Sequence, residues 1–260
     1  FAYYMPTRVI SGRNCVPEHG DQLKALGTHA LIVTGKSSAL NGALDDMLSA
    51  LERNGQNATV FDRITPNPTV ASVREGIALL KSAGADFVVA IGGGSPMDAA
   101  KAIATLAVQE RTDKEIFAGG YAAEALPMAH VPTTAGTGSE VTPYAILTND
   151  AKETKTSITS PAMFPRLAFL DGKYMEHLPV RSTVNTALDA FSHAVEGMLS
   201  RNATPLSDAL AKESLRILYP LLQKTAGPLT LDERDTLLYA SMLAGMTIAQ
   251  SGTTAVHGMG

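Results

Sequence analysis

The 260-residue sequence predicts an α/β part with a mostly parallel sheet, followed by an all-α part that is incomplete in this chain. Two patterns and one turn predict it. Short apolar, β-branched runs alternate with longer segments whose apolar residues recur at helical spacing. Near Arg181 the strand-like runs stop and only helical spacing continues. Between the third run and the helix after it stands a turn of three consecutive glycines. Composition agrees: 45% hydrophobic and 18% charged residues exclude disorder as the main state. A net charge of -4 without a Lys/Arg run argues against a nucleic-acid partner. No apolar stretch reaches the roughly 18–20 residues that span a bilayer, and the start lacks a secretory pattern, so no membrane partner is expected. Cys15 is the single cysteine, which fits a reducing, cytoplasmic setting. The chain opens at Phe1 and stops at Gly260, directly after His257-Gly258-Met259, and reads as part of a longer one.

The strand-like runs are residues 30–34, 58–61, 86–91, 128–131 and 167–170. Helices are expected over 41–54, 69–83 and 96–108. Beyond Arg181, the stripe Val184, Ala187, Leu188, Phe191, Val195 and Met198 predicts one helix. Residues 210–219 and 232–249 predict two more, with breaks near Pro205, Pro220 and Pro228. Pro179 marks the boundary, so the expected parts are 1–180, alternating strands and helices, and 181–260, all helical. In parallel sheets ligands gather beyond the carboxyl ends of the strands.

The segment Ile91-Gly92-Gly93-Gly94-Ser95-Pro96-Met97-Asp98-Ala99-Ala100-Lys101 is such an end. Ser95 suits the N-cap, Pro96 the first helical position and Asp98 a capping-box place. Glycines ahead of the cap let a pyrophosphate approach main-chain N–H groups and the positive helix end. A tight turn kept small for packing is the alternative. The dinucleotide fingerprint G-x-G-x-x-G is absent, because its third glycine is missing. After the next strand, Val131-Pro132-Thr133-Thr134-Ala135-Gly136-Thr137-Gly138-Ser139-Glu140 offers hydroxyls suited to phosphate or ribose oxygens.

Asp189 and His193 stand four residues apart, ~40° around one helix. Alone, they could be a solvated pair worth a few tenths of a kcal/mol. With His257 they make a carboxylate and two imidazoles, a set suited to Fe(II) or Zn(II). His19, His29, His130 and His177 read as structural or surface residues.

Together these segments resemble the iron-containing (group III) alcohol dehydrogenase family of the dehydroquinate synthase-like superfamily. The resemblance runs along the whole chain, through the 92–101 turn, Thr133–Glu140, Asn67 in Pro66-Asn67-Pro68-Thr69, the Asp189–Gly197 segment and His257-Gly258-Met259. It implies an NAD(P)-dependent oxidoreductase of a small alcohol or aldehyde, with metal and nicotinamide in a cleft between the two parts. Asp189, His193 and His257 would be three of four metal ligands; the family's fourth, a histidine, lies a little beyond His257. Gly92, Gly93, Gly94, Ser95 and Asp98 would face the cofactor at the glycine turn. Thr133, Thr134 and Thr137, with Asn67 and Lys155, would line the rest of the groove. Members preferring NAD commonly carry an aspartate where this chain has Gly35. Gly35, Lys36 and Ser37 therefore imply room and donors for a 2′-phosphate, hence NADP, with NAD the alternative. Iron is the metal implied, with zinc the alternative, and a homo-oligomer, a dimer first, is expected. A polyol dehydrogenase, a lyase of the same fold, and a non-catalytic nucleotide-binding module remain open at this point.

Overall fold

A computed structural model describes residues 1–257, apart from residues 37, 150, 151, 153, 225, 226 and 255. In order the elements are β1 (Arg8–Ser11), α1 (Cys15–His19), β2 (His29–Thr34), α2 (Ala43–Asn54), β3 (Asn57–Phe61), α3 (Val70–Ala83), β4 (Phe87–Gly92) and α4 (Gly94–Leu106). There follow α5 (Asp113–Ile116), β5 (Met128–Pro132), β6 (Tyr144–Asn149), β7 (Thr154–Thr159), β8 (Leu167–Leu170), α6 (Val180–Leu199), α7 (Pro205–Gln223) and α8 (Leu231–Ser251).

Six strands form one sheet in the order β1-β8-β5-β4-β2-β3, every neighbouring pair parallel. Strands β4, β5 and β8 are buried at every position, which is why they read as continuous apolar runs rather than alternations. Leu31, Val33, Val88 and Ala90 pack on one face beneath α3 and α4. Ala30, Ile32, Val89 and Ile91 pack on the other with α2 residues Met47 and Leu51. The chain moves outward from β2 to β3 and returns to β4 on the opposite side of β2. The crevice between β2 and β4 is therefore a topological switch point, where such sheets bind ligands. Pairing of Thr34 with Ile91 and of Gly92 with Pro132 carries Gly35 toward Gly92, and Gly93 toward Thr133, at that end of the sheet.

All five expected strands are present. Three others were not expected. Edge strand β1 and the β6–β7 hairpin carry few fully buried side chains, so no apolar run announces them. Helix α4 starts earlier than expected: Gly93 is its N-cap, and Ser95 already lies inside the first turn. Pro205 and Pro220 do not break the helical part. Pro205 opens α7, where its missing N–H costs nothing, and Pro220 sits within it. Pro220 and Arg216, whose carbonyl it leaves unpaired, both lie on the exposed face, where water can serve that carbonyl. No helix among the described residues is long and apolar enough to cross a membrane.

Candidate active site at the sheet edge

Between α4 and the 133–142 loop the backbone runs too close for side chains. A Cβ on Gly93 would stand 3.0 Å from Thr134 Oγ1, and one on Gly94 would stand 2.8 Å from Thr137 Cγ2. The two segments form a cradle whose floor is main chain. No side chain caps the start of α4, so its first N–H groups and the positive end of its dipole face the cradle. Asn67 N–H donates to Ser95 Oγ at 3.2 Å, in a left-handed conformation with φ of 59°. Thr148 Oγ1 in turn donates to the Asn67 carbonyl at 3.1 Å, and Lys155 is exposed and faces Thr148 across the β6–β7 pair. The structure thus brings Gly93, Gly94, Ser95, Thr134, Thr137 and Asn67 together, with Lys155 one strand away.

Two expectations change here. Ser95 does not cap α4; its hydroxyl holds Asn67 instead. Asp98 makes no capping box, because its carboxylate points away from the helix start. One oxygen accepts from Ser139 Oγ at 2.8 Å and the other from Ile146 N at 3.1 Å. The fully buried Lys101 completes this tie, donating to Ser139 Oγ at 2.7 Å, Thr142 Oγ1 at 3.2 Å and the Tyr144 carbonyl at 2.8 Å. Burial pushes the Lys101 ammonium down to about 8, against the pull of Asp98 and Glu140. Burial likewise pushes the Glu140 carboxyl up to about 7, partly offset by a main-chain hydrogen bond and Lys101.

Gly35 directly follows β2 and is buried, and a Cβ there would stand 3.1 Å from the Ile64 carbonyl. Rather than leaving room, Gly35 permits this close approach. Lys36 beside it is exposed, and Ser37 lies outside the described residues.

The second cluster lies on the helical part. Asp189 and His193 project from one face of α6, and His257 approaches from the segment after α8. One donor atom from each lies within 4.8 Å of the others. His257 Nε2 is 3.2 Å and His193 Nε2 is 3.9 Å from Asp189 Oδ1, and the two imidazoles stack with centroids 4.3 Å apart. His193 Nδ1 is 3.2 Å from the Gly136 carbonyl. A carbonyl can only accept, so Nδ1 carries the proton and the Nε2 lone pair faces Asp189 and His257. Burial drives His193 below its ordinary range, keeping it neutral despite Asp189. His257 is raised to about 9, chiefly by its hydrogen bond to Asp189, with burial opposing and Glu196 assisting. A carboxylate oxygen and two imidazole nitrogens, one already fixed as the free-base tautomer, are a donor set that fits a divalent transition metal.

Glu196 is the residue that pattern reading missed. It is buried, and its carboxylate bonds His257 Nδ1. Its signal was present in the spacing: 189, 193 and 196 are i, i+4 and i+7, all on one face of α6. The 133–142 loop joins both clusters, with Gly136 packed on Thr186 of α6 and Gly138 on Gly245 of α8.

A switch-point crevice floored by glycines stands beside a carboxylate–imidazole cluster on a helical layer, an arrangement suited to a nucleotide on one side and a metal on the other. The chain belongs to the iron-containing alcohol dehydrogenase family. The profile of the iron-containing alcohol dehydrogenases matches residues 6–172, and that of the family's C-terminal region matches residues 183–260. The 1,3-propanediol dehydrogenase of Citrobacter freundii is 36% identical over 268 residues, an alignment covering 100% of this chain and 68% of that protein. The NAD-dependent methanol dehydrogenase of Bacillus methanolicus is 32% identical, covering 98% of this chain and 68% of that one. The crystal structure of an iron-containing alcohol dehydrogenase from Thermotoga maritima superposes with a TM-score of 0.92 at 43% identity, covering 98% of this chain and 70% of that one. The protein is thus an alcohol/aldehyde oxidoreductase, and the lyase and the non-catalytic module fall away.

Proposed function

We propose that this chain transfers hydride between a small alcohol or aldehyde and NADP(H), with Asp189, His193 and His257 as protein ligands of a divalent metal. Iron is the ion proposed, with zinc as the alternative. The observation that carries the reading is the convergence of three donor atoms within 4.8 Å, with the His193 tautomer set by Gly136. The bound metal would supply Lewis acidity toward a substrate oxygen, and the nicotinamide would supply or take the hydride.

Residues 1–180 then hold the cofactor and 181–260 the metal. Gly93, Gly94 and Ser95 bind the pyrophosphate through main-chain N–H groups at the start of α4. Thr133, Thr134 and Thr137, with Asn67 and Lys155, position the remainder. Asp98 and Lys101 act behind the cradle, keeping the 139–146 segment against α4. Preference for NADP rests on the end of β2, where Gly35 supplies no carboxylate to repel a 2′-phosphate and exposed Lys36 supplies a cation. A cytoplasmic setting accords with the free, buried Cys15, whose thiol burial pushes up to about 12. A homodimer without a nucleic-acid or membrane partner completes the proposal.

The test is kcat/KM with each cofactor, together with metal analysis of the purified chain. The wild type should favour NADP(H), and Lys36→Ala should reduce that ratio about fivefold, the equivalent of ~1 kcal/mol for one nearby charge. Gly35→Asp should reverse the ratio, even though its Cβ crowds Ile64 and lowers both activities. A wild type several-fold better with NAD would overturn the cofactor reading.

A further inference from the structure

We infer that Glu196 is a positioning residue for the metal cluster, the group that holds Thr254, Val256 and His257 so that the His257 ring faces Asp189. The inference rests on the metal reading above. His257 follows α8 by several residues, after Gly252, and stands with Val256 at the start of a new helical stretch whose first N–H groups need an acceptor. Glu196 supplies it from across the groove. Its Oε1 accepts from Val256 N at 2.7 Å, from Thr254 N at 3.1 Å and from Thr254 Oγ1 at 3.2 Å. Its Oε2 takes the Nδ1 side of the His257 ring, which leaves Nε2 pointing at Asp189. Both oxygens act as acceptors, so the site requires a carboxylate. An amide in its place offers one acceptor and sets its NH2 against a donor.

Two further features fit this role. Glu196 shares the face of α6 that carries Asp189 and His193, so a single rigid helix places two proposed ligands and the anchor of the third. Beside it, Gly197 has no room for a Cβ, which would stand 2.4 Å from Thr247 Cγ2. That close approach of α6 to α8 brings Thr254, Val256 and His257 within reach of a side chain as short as glutamate. A buried carboxylate behind an imidazole also raises the basicity of the nitrogen facing the metal.

The experiment uses Co2+ as probe on the full chain after chelation, with affinity read by chelator competition. Glu196→Gln should weaken Co2+ binding roughly 10–100-fold while leaving NADPH affinity unchanged. Glu196→Asp keeps the charge at shorter reach and should fall between the two, which also guards against loss of folding in the first variant. In the zinc-loaded wild type, imidazole nitrogen NMR shifts should report His257 coordinating through Nε2 with Nδ1 protonated, and a mixture in Glu196→Gln. Co2+ affinity within twofold of wild type in both variants would overturn the inference. Should the wild type bind no Co2+, the metal reading falls by itself. Amide exchange at Thr254 and Val256 then judges Glu196 separately: exchange as slow in Glu196→Gln as in wild type would refute its hold on the segment.

Discussion

The two halves of the proposed active site are built on opposite principles. The cradle at the sheet edge works through what is missing: Gly93 and Gly94 have no Cβ, and the helix start has no side-chain cap. The cluster on α6 works through what is present, a carboxylate and two imidazoles whose orientation is set by Gly136 and Glu196. In the cradle the groups proposed to bind the cofactor are main-chain donors, the same for any sequence, and the sequence's task is to keep side chains away. In the cluster the side chains are themselves the chemistry, and the fold's task is to aim them. Damage should therefore come from adding atoms in one region and from removing them in the other.

The largest effect expected is at the cluster. His193→Ala should lower kcat at least about a hundredfold through loss of metal, because removing a proposed direct ligand should matter at least as much as removing an outer-shell partner. NADPH affinity, read by fluorescence titration, should stay within about twofold. If cofactor binding collapsed together with turnover, the two regions would not be separable as described.

Next is an added methyl group where the loop from the cradle meets the helical part. At Gly138, φ is 59° and a Cβ would stand 2.5 Å from Gly245 Cα, so both contact partners are backbone and neither can rotate away. Gly138→Ala should cost about 2 kcal/mol or more in chemical denaturation, combining left-handed strain with the clash. It should also weaken NADPH binding, since the displaced loop carries Thr133, Thr134 and Thr137. A variant of unchanged stability would mean that the loop and α8 are not in the contact described.

The smallest effect serves as a control far from both regions. Asp86 accepts hydrogen bonds from Thr28 N, Thr28 Oγ1 and His29 N, each at 2.8–2.9 Å. Burial raises this carboxyl, but those bonds outweigh it and leave the pKa below its usual value. A depressed folded-state pKa contributes stability that is complete above the unfolded value and is lost as pH falls through the folded one. Asp86→Ala should destabilise the protein by about 1–2 kcal/mol at neutral pH and by less in acid. KM for cofactor and substrate should not move. A shift in KM would show that the comparison between cradle and cluster omits a third contributing region.

Much of this was legible in the residues. The five runs at 30–34, 58–61, 86–91, 128–131 and 167–170 are five strands of the sheet, because burial on both faces demands continuous apolar side chains. The glycine turn and the threonine loop were recognisable as strand ends, and i, i+4 spacing put Asp189 beside His193. The β6–β7 hairpin escaped because its buried side chains are few. Pro205 and Pro220 misled because proline is destructive only where an N–H must bond or a freed carbonyl has no water.

Other features depended on residues distant in sequence meeting in space. Ser95 looked like a cap, yet its partner is Asn67 on another loop. Asp98 looked like part of a capping box, yet it reaches Ser139 and Ile146. Gly35 looked like spare room, until Ile64 was found against it. Glu196 stood in plain view within the Asp189–Gly197 segment, but its meaning depends on Thr254, Val256 and His257 arriving from beyond α8. The sequence alone determined the five buried strands, the six long helices and the chemical types available at each of those strand ends, since these follow from local periodicity and from glycine's lack of a Cβ. Only the tertiary structure decided which donor meets which acceptor, because hydrogen bonds act over about 3 Å and depend on packing between segments far apart in the chain.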